Sequence, residues 1–205
     1  MNYQFWPEIS FCLNEVEKEK LQLTKNTMNL DALTAARERI NNQLERLRVS
    51  LEQSLDKSFA SFILFAIVAY LDEDIQAYVL ELGQGNWLPL QKDFYGAYNA
   101  GELFYETIDK LLDNPDTPPT VMMVFYFILK KGFQGKYRDS KTHITKYQDI
   151  LKEKISVISP TQMEEHSVYN SSKKNKKLKK WHYYALAGTA SVCLLLMLYI
   201  TSSSG

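Results

Sequence analysis

The feature that most constrains this chain is a long apolar run near its C-terminus. Residues 181–200 read WHYYALAGTASVCLLLMLYI and contain no Asp, Glu, Lys or Arg. A helix of this length rises about 30 Å, which is the thickness of the hydrocarbon core of a bilayer. We therefore expect one C-terminal transmembrane helix over residues 181–200.

A lysine-rich stretch directly before this run predicts how it is oriented. By the positive-inside rule, such a flank stays in the cytoplasm, which leaves residues 201–205 as a short tail on the far side of the membrane. A lysine run alone is also typical of nucleic-acid-binding tails, but its position beside the span favours an anionic lipid bilayer as its partner and not nucleic acid. The expected membrane-surface residues are Lys173, Lys174, Lys176, Lys177, Lys179 and Lys180.

The rest of the chain predicts an all-α fold. Only 8 Gly and 6 Pro occur in 205 residues, too few for a strand-rich fold that needs frequent turns. Apolar residues recur every three or four positions from Leu33 to Leu55, which indicates a long amphipathic helix. We expect about six to seven helices in a cytoplasmic domain over residues 1–158, then a polar and Lys-rich juxtamembrane linker over residues 159–180.

Two short apolar runs predict the core of this domain. Residues 59–71 (FASFILFAIVAYL) and 121–129 (VMMVFYFIL) are apolar on all sides but too short to cross a bilayer. Between them, Asn99 and Glu102 have the spacing of a capping pair for a helix that ends before Pro115. Gly132 is placed to end the second apolar helix in a left-handed conformation.

The sequence shows no arrangement of residues typical of an active site. His143, His166 and His182 share no metal-ligand spacing with one another or with Cys12 and Cys193. No nucleophile motif or phosphate-binding loop is present. We therefore expect a protein without catalytic residues, metal or cofactor.

Charge is unevenly distributed along the chain. Residues 70–120 carry a net charge of −8 and residues 121–205 a net charge of +9. The acidic part begins at Asp72, Glu73 and Asp74, which point about 100° apart on a helix and so cannot converge on one metal. Two interpretations remain open. These three acidic residues form either a docking surface for a basic partner or a solvated helix end with one carboxylate paired to a buried cation.

Four stretches, in this order, resemble the DotU/IcmH/TssL family. They are AIVAYLDED at 66–74, NWLPL at 86–90, GELFYETIDKLLDNP at 101–115 and FILKKGFQGKYRD at 127–139, and a single apolar run follows them. One difference is visible, because residues 81–87 read ELGQGNW where relatives commonly have a TPWG-like turn. Contacts made by this loop therefore need not match those of the family.

The resemblance implies a non-enzymatic subunit of the bacterial inner membrane, in a type VI or type IVB secretion system. It implies a cytoplasmic domain of two small packed helical bundles that form a cleft. The implied partners are an IcmF/TssM-like inner-membrane protein and components of the baseplate, together with self-association.

The matching residues divide into two groups. The partner-binding residues implied by the resemblance and by the acidic charge are Asp72, Glu73, Asp74, Glu102 and Tyr105. The residues implied to define the fold are Trp87, Gly101, Gly132, Phe133, Gly135, Tyr137 and Arg138.

The main alternative is another tail-anchored helical binding module, such as a Bcl-2-like groove protein. The signature of that class is Asn-Trp-Gly-Arg. Here Asn86 and Trp87 are followed by Leu88 and Pro89, so the Gly and Arg of the signature are missing. The sequence favours the secretion subunit over this alternative.

Overall fold

The computed structural model describes residues 5–23, 30–83, 87–96 and 99–158, and the regular structure in these ranges is entirely helical. The prediction of an all-α fold with six to seven helices is confirmed for this part of the chain. The elements are α1 (Trp6–Leu23), α2 (Leu30–Ser54), α3 (Lys57–Glu81), α4 (Gln91–Tyr95), α5 (Ala100–Asp113), α6 (Pro119–Lys131), the 3₁₀ turn Gly135–Tyr137 and α7 (Lys141–Ile158).

Helix α3 is the centre of the fold. It contains the apolar run predicted to be buried, and it packs against α2, α4, α5 and α6. Asp56 caps its N-terminus, where the carboxylate accepts a hydrogen bond from the Ser58 N–H at 2.9 Å. The helix continues to Glu81, well past the end of the apolar run at Leu71. This extension carries the acidic residues that follow Leu71, of which Asp72 is buried and Glu73 and Asp74 are partly buried.

The helices form one unit around one core. Helix α1 packs on α2 and α7 packs on α6, while their buried side chains join α3 in a single continuous cluster. Residues 1–159 form one compact unit. The resemblance implied two small bundles. The helices do fall into the groups α1–α2 and α5–α7, but both groups pack on α3 and are not separate bundles.

The helix ends agree with the sequence in most places. Helix α6 begins at Pro119, and Gly132 ends it with φ +107° in the left-handed region, as predicted. The predicted capping pair at the start of α5 is wrong, because the Asn99 side chain makes no capping hydrogen bond. Instead, the Ala100 N–H donates to Oε1 of Gln91 in α4 at 2.9 Å. A tertiary contact has replaced the local one.

The membrane segment and its flank lie outside the described residues. These are the predicted linker at 159–180 with its lysines, the span at 181–200 and the tail at 201–205. Among the helices that the structure describes, none is both long enough and apolar enough to cross a bilayer.

Candidate docking cleft

A cleft of about 600 Å³ opens beside the C-terminal half of α3. Its other walls are the segment 87–91, the start of α5 and the turn that follows α6. We call it the α3 cleft. Asp72, Glu73 and Asp74 all line it. Since consecutive residues of a helix point about 100° apart, each of these carboxylates meets a different neighbouring element.

Asp72 joins α3 to the segment that leads into α4. Its carboxylate is buried and accepts hydrogen bonds from Trp87 Nε1 at 3.0 Å, the Leu90 N–H at 2.6 Å and the Gln91 N–H at 2.9 Å. Burial raises the pKa of Asp72, although these hydrogen bonds and the charge of Arg37 act in the opposite direction. Three donors on one carboxylate fix the position of this wall of the cleft.

Arg37 of α2 holds the same segment from the outside. Its Nε donates to the carbonyl of Leu88 at 3.0 Å, and its guanidinium forms an ion pair with Asp93 at 2.6 Å. The segment 87–93 is therefore attached to both α2 and α3. No feature of the sequence predicted this contact, because Arg37 lies among other charged residues of an amphipathic helix.

Glu73 joins α3 to the turn that follows α6. Its two carboxylate oxygens accept the consecutive backbone N–H groups of Gln134 and Gly135, each at 2.8 Å. The turn begins at Gly132 and brings both N–H groups to the same side. The carboxylate thus satisfies two donors that no helix hydrogen bond uses.

Asp74 joins α3 to α1 through a buried lysine. The Lys20 ammonium, only 7% exposed, forms ion pairs with Asp74 and with Glu17 and lies 5.2 Å from the ring centroid of Tyr78. Burial lowers the pKa of Lys20, but its hydrogen bonds and charge interactions with the two carboxylates outweigh this effect and raise it. One of the two sequence interpretations expected such a buried cation.

Two glycines bring the start of α5 against the turn after α6. A Cβ atom on Gly135, which has φ +52°, would lie 2.7 Å from the Gly101 carbonyl oxygen. A Cβ atom on Gly101 would lie 3.3 Å from Gly135 Cα. The approach of the two backbones therefore requires glycine at position 135 and leaves little space for a Cβ atom at position 101. This contact explains why both family-like stretches carry a glycine here.

Aromatic side chains pack beneath this glycine contact. Phe133 is buried with its ring centroid 4.4 Å from that of Phe104, and Tyr137 packs edge-on to Tyr105 at 4.6 Å. The Tyr105 hydroxyl donates to the carbonyl of Gln134 at 2.9 Å. Tyr105 is therefore buried under the turn. The cluster, like Trp87, fixes the walls of the α3 cleft.

Other side chains at or near the cleft remain exposed. Glu102, at the start of α5, is exposed and lies next to the lining residue Gly101. Arg138 is exposed and is part of the lining. Leu80 and Leu88 are 61% and 63% exposed, an unusual degree for leucine; Leu80 lines the cleft and Leu88 lies between two lining residues. These groups are accessible to a partner.

The structure brings most of the sequence-predicted site residues to one place, although with different surroundings from those expected. The acidic residues after the apolar run are not a solvated helix end, since Asp72 is 6% exposed and Glu73 and Asp74 are partly buried. Sequence reasoning missed Lys20 and Gln91. Lys20 could have been found, because it falls on the apolar stripe of α1 formed by Ile9, Cys12, Val16 and Leu23. Within the described ranges, no three His, Cys, Asp or Glu side chains form a group that could hold a metal ion.

Three solved structures share this fold. The chain is similar to DotU from Francisella novicida, with a TM-score of 0.61 and 22% identity over 73% of this chain and 99% of that chain. It is similar to SciP/TssL from enteroaggregative Escherichia coli 042, with a TM-score of 0.55 and 22% identity over 74% and 89% of the two chains. It is also similar to the cytoplasmic domain of TssL from Acinetobacter baumannii, with a TM-score of 0.51 and 20% identity over 71% and 97%. The fold of this chain is thus that of the solved all-helical DotU and TssL domains.

The sequence itself assigns the family. The model of the family described as type VI secretion system protein DotU matches residues 13–204. The chain therefore belongs to the DotU family of type VI secretion system proteins. Among curated proteins, none matches it. The family match confirms the resemblance seen in the four sequence stretches and leaves no observation that favours a Bcl-2-like groove protein.

Proposed function

We propose that this chain is a non-enzymatic scaffold subunit of a type VI secretion system in the bacterial inner membrane. Its helical body faces the cytoplasm, and residues 181–200 anchor it as a single-pass protein with the C-terminus in the periplasm. The body binds an IcmF/TssM-like inner-membrane protein and helps to recruit components of the baseplate. Membership of the DotU family supports this proposal, together with the apolar run and its lysine-rich flank.

The observation that carries the docking proposal is the internally braced α3 cleft. Its walls are held by hydrogen bonds from Asp72 and Glu73 and by the contact between Gly101 and Gly135. A site held in place before binding loses little conformational entropy when a partner arrives. The cleft also has exposed apolar side chains near its opening, Leu80 and Leu88. Exposed apolar groups beside a cleft are typical of protein-binding surfaces.

The five proposed partner-binding residues divide into two roles in this proposal. Asp72, Glu73 and Tyr105 have internal hydrogen bonds and act by positioning the walls of the cleft. Glu102 is exposed, and the Asp74 side chain is 32% exposed, so both can contact the partner directly. Glu102 and Asp74 then carry most of the acidic charge that we expect to attract a basic partner.

The test compares two pairs of exposed apolar residues. Full-length chain in detergent is titrated with the cytoplasmic part of an IcmF/TssM-like protein from the same secretion system. We expect the double variant Leu80→Ser and Leu88→Ser to raise Kd by about tenfold or more, because two apolar contacts are lost at the cleft. Isothermal calorimetry measures Kd, and circular dichroism checks that the variant remains folded.

The matched control is the double variant Phe11→Ser and Val49→Ser. These side chains are 58% and 47% exposed on α1 and α2, and neither lines the α3 cleft. The control should bind like the unmodified chain. Equal affinity for both double variants would place docking elsewhere on the body, and no binding of the unmodified chain would reject the proposed partner.

A further inference from the structure

A group of exposed cations lies at the end of the body where α6 ends and α7 begins. Five of the twelve residues from 130 to 141 are Lys or Arg, and Asp139 is the only acidic residue among them. All five side chains are exposed. We call this surface the basic end; it consists of Lys130, Lys131, Lys136, Arg138 and Lys141.

The contacts of α6 and α7 hold these cations at one end of the body. The two helices pack together, with Gln148 Nε2 donating to the carbonyl of Leu129 at 3.0 Å. The connection between them is short and ordered, since the rings of Tyr137 and His143 stack with centroids 4.7 Å apart. The cations from the last turn of α6, the connecting turn and the first turn of α7 are therefore neighbours.

Four cations of the basic end, Lys130, Lys136, Arg138 and Lys141, form no ion pair with the residues that the structure describes. Lys130, Arg138 and Lys141 make no ion pair or hydrogen bond with any residue that the structure describes. In the part of the chain that the structure describes, Lys136 Nζ lies 5.3 Å from the ring centroid of Tyr137 and 5.9 Å from that of Tyr105. The nearby carboxylate of Glu73 is already occupied by two backbone N–H groups. Exposed charges without a partner attract an external anionic surface.

We propose that the basic end rests on the anionic headgroups of the membrane that holds the chain. This inference depends on the proposed membrane anchor. The chain leaves α7 at Ile158, about 26 Å along the helix from Lys141. Residues 159–180 could extend to about 70 Å at most, so the basic end can reach the bilayer although it lies at the opposite end of α7. The membrane would then orient the body and its α3 cleft.

Lipid chemistry explains the choice of partner. Each Lys or Arg close to an anionic leaflet adds to the attraction, and the effect disappears beyond about 8 Å at physiological salt. The lysine-rich stretch of the linker, residues 173–180, is expected at the same membrane surface and would keep the body near it. An anionic bilayer is therefore present at high local concentration, which no free anion would be.

The test uses hydrogen exchange of the full-length chain reconstituted into vesicles. One set of vesicles contains phosphatidylcholine alone and the other contains phosphatidylcholine with phosphatidylglycerol. We expect backbone amides within residues 130–141 to exchange about tenfold more slowly on the anionic vesicles, and this protection to disappear in about 0.5 M salt. Carbonate-resistant flotation of the same samples reports separately whether the chain is inserted.

Two triple variants sharpen the test. Lys130→Gln, Lys136→Gln and Lys141→Gln should abolish the lipid-dependent protection. The control triple, Lys57→Gln, Lys110→Gln and Lys152→Gln, removes the same charge from exposed positions elsewhere and should leave the protection unchanged.

The outcomes separate this inference from the proposed anchor. Equal exchange on both kinds of vesicle in a chain that floats would overturn the basic-end contact and leave the anchor standing. Lipid-dependent protection in a chain that is removed by carbonate would keep the contact and reject the anchor. Protection produced by a duplex oligonucleotide but not by anionic vesicles would assign the surface to nucleic acid instead.

Discussion

At the scale of single residues, the acidic side chains after the buried run of α3 act mainly within the protein. Asp72 illustrates this best, because it is 6% exposed and each of its oxygens accepts a backbone N–H. A carboxylate is suited to this position, since both of its oxygens accept hydrogen bonds and neither donates. Asp72, which belongs to the family-like stretch 66–74, thus holds one wall of the α3 cleft in position.

Replacing Asp72 with Asn tests this role. Whichever way the amide is turned, its NH₂ group faces a backbone N–H, of Leu90 or of Gln91, and that donor loses its acceptor. We expect the free energy of unfolding to fall by about 1–3 kcal/mol, measured by urea denaturation. The control Asp113→Asn changes an exposed residue of α5 and should shift it by less than about 0.5 kcal/mol. Equal stability of the two variants would show that the Asp72 hydrogen bonds contribute little.

The sequence predicted which residues gather at the cleft better than it predicted what they do there. Charge alone made Asp72 and Glu73 look like surface residues, because a pattern of acidic letters does not show which backbone donors the fold will place beside them. These donors come from residues 18 to 62 positions away. Lys20 is different: although it was missed, its position on the buried stripe of α1 could have indicated a buried carboxylate partner.

At the scale of elements, the turn after α6 organises the cleft. It is tied to α3 by Glu73 and to α5 by the approach of Gly135 to Gly101. The helix bounds followed from hydrophobic spacing and from proline and glycine positions, as at Pro119 and Gly132. The cap of α5 did not, because its acceptor, Gln91, comes from another helix. The sequence pattern within a helix predicts where that helix begins and ends. A contact between two elements can be identified only once the fold is known.

Gly135→Ala tests the contact between elements. The new Cβ would lie 2.7 Å from a backbone oxygen of α5, which cannot move away without displacing the helix. Gly96→Ala is the matched control, since Gly96 also has a positive φ, +66°, but its Cβ would meet nothing within 4 Å. We expect Gly135→Ala to lower the free energy of unfolding by about 1–3 kcal/mol more than the control does. Similar losses would mean that only backbone strain matters at Gly135.

At the scale of the whole molecule, charge and hydrophobicity are separated along the chain. The acidic part spans α3 to α5, the basic part begins at the end of α6, and the apolar run comes last. The described helices share one core, whose buried residues extend from Phe5 to Ile155. We expect the body to fold without the proposed anchor, because the buried side chains of the described helices already form one continuous cluster.

A truncated chain ending at Lys180 tests this separation. We expect it to be soluble and monodisperse and to unfold in one cooperative transition, because the described helices share one continuous cluster of buried side chains. Light scattering after gel filtration measures the mass, and far-UV circular dichroism follows the unfolding. The lysines that remain can still bind anionic lipid, so fractionation from cells is done in high salt, which screens that attraction. Sedimentation with membranes under these conditions would show that a part of the body other than the apolar run holds the chain there. The full-length chain, which keeps residues 181–200, should remain in the membrane fraction in the same buffer.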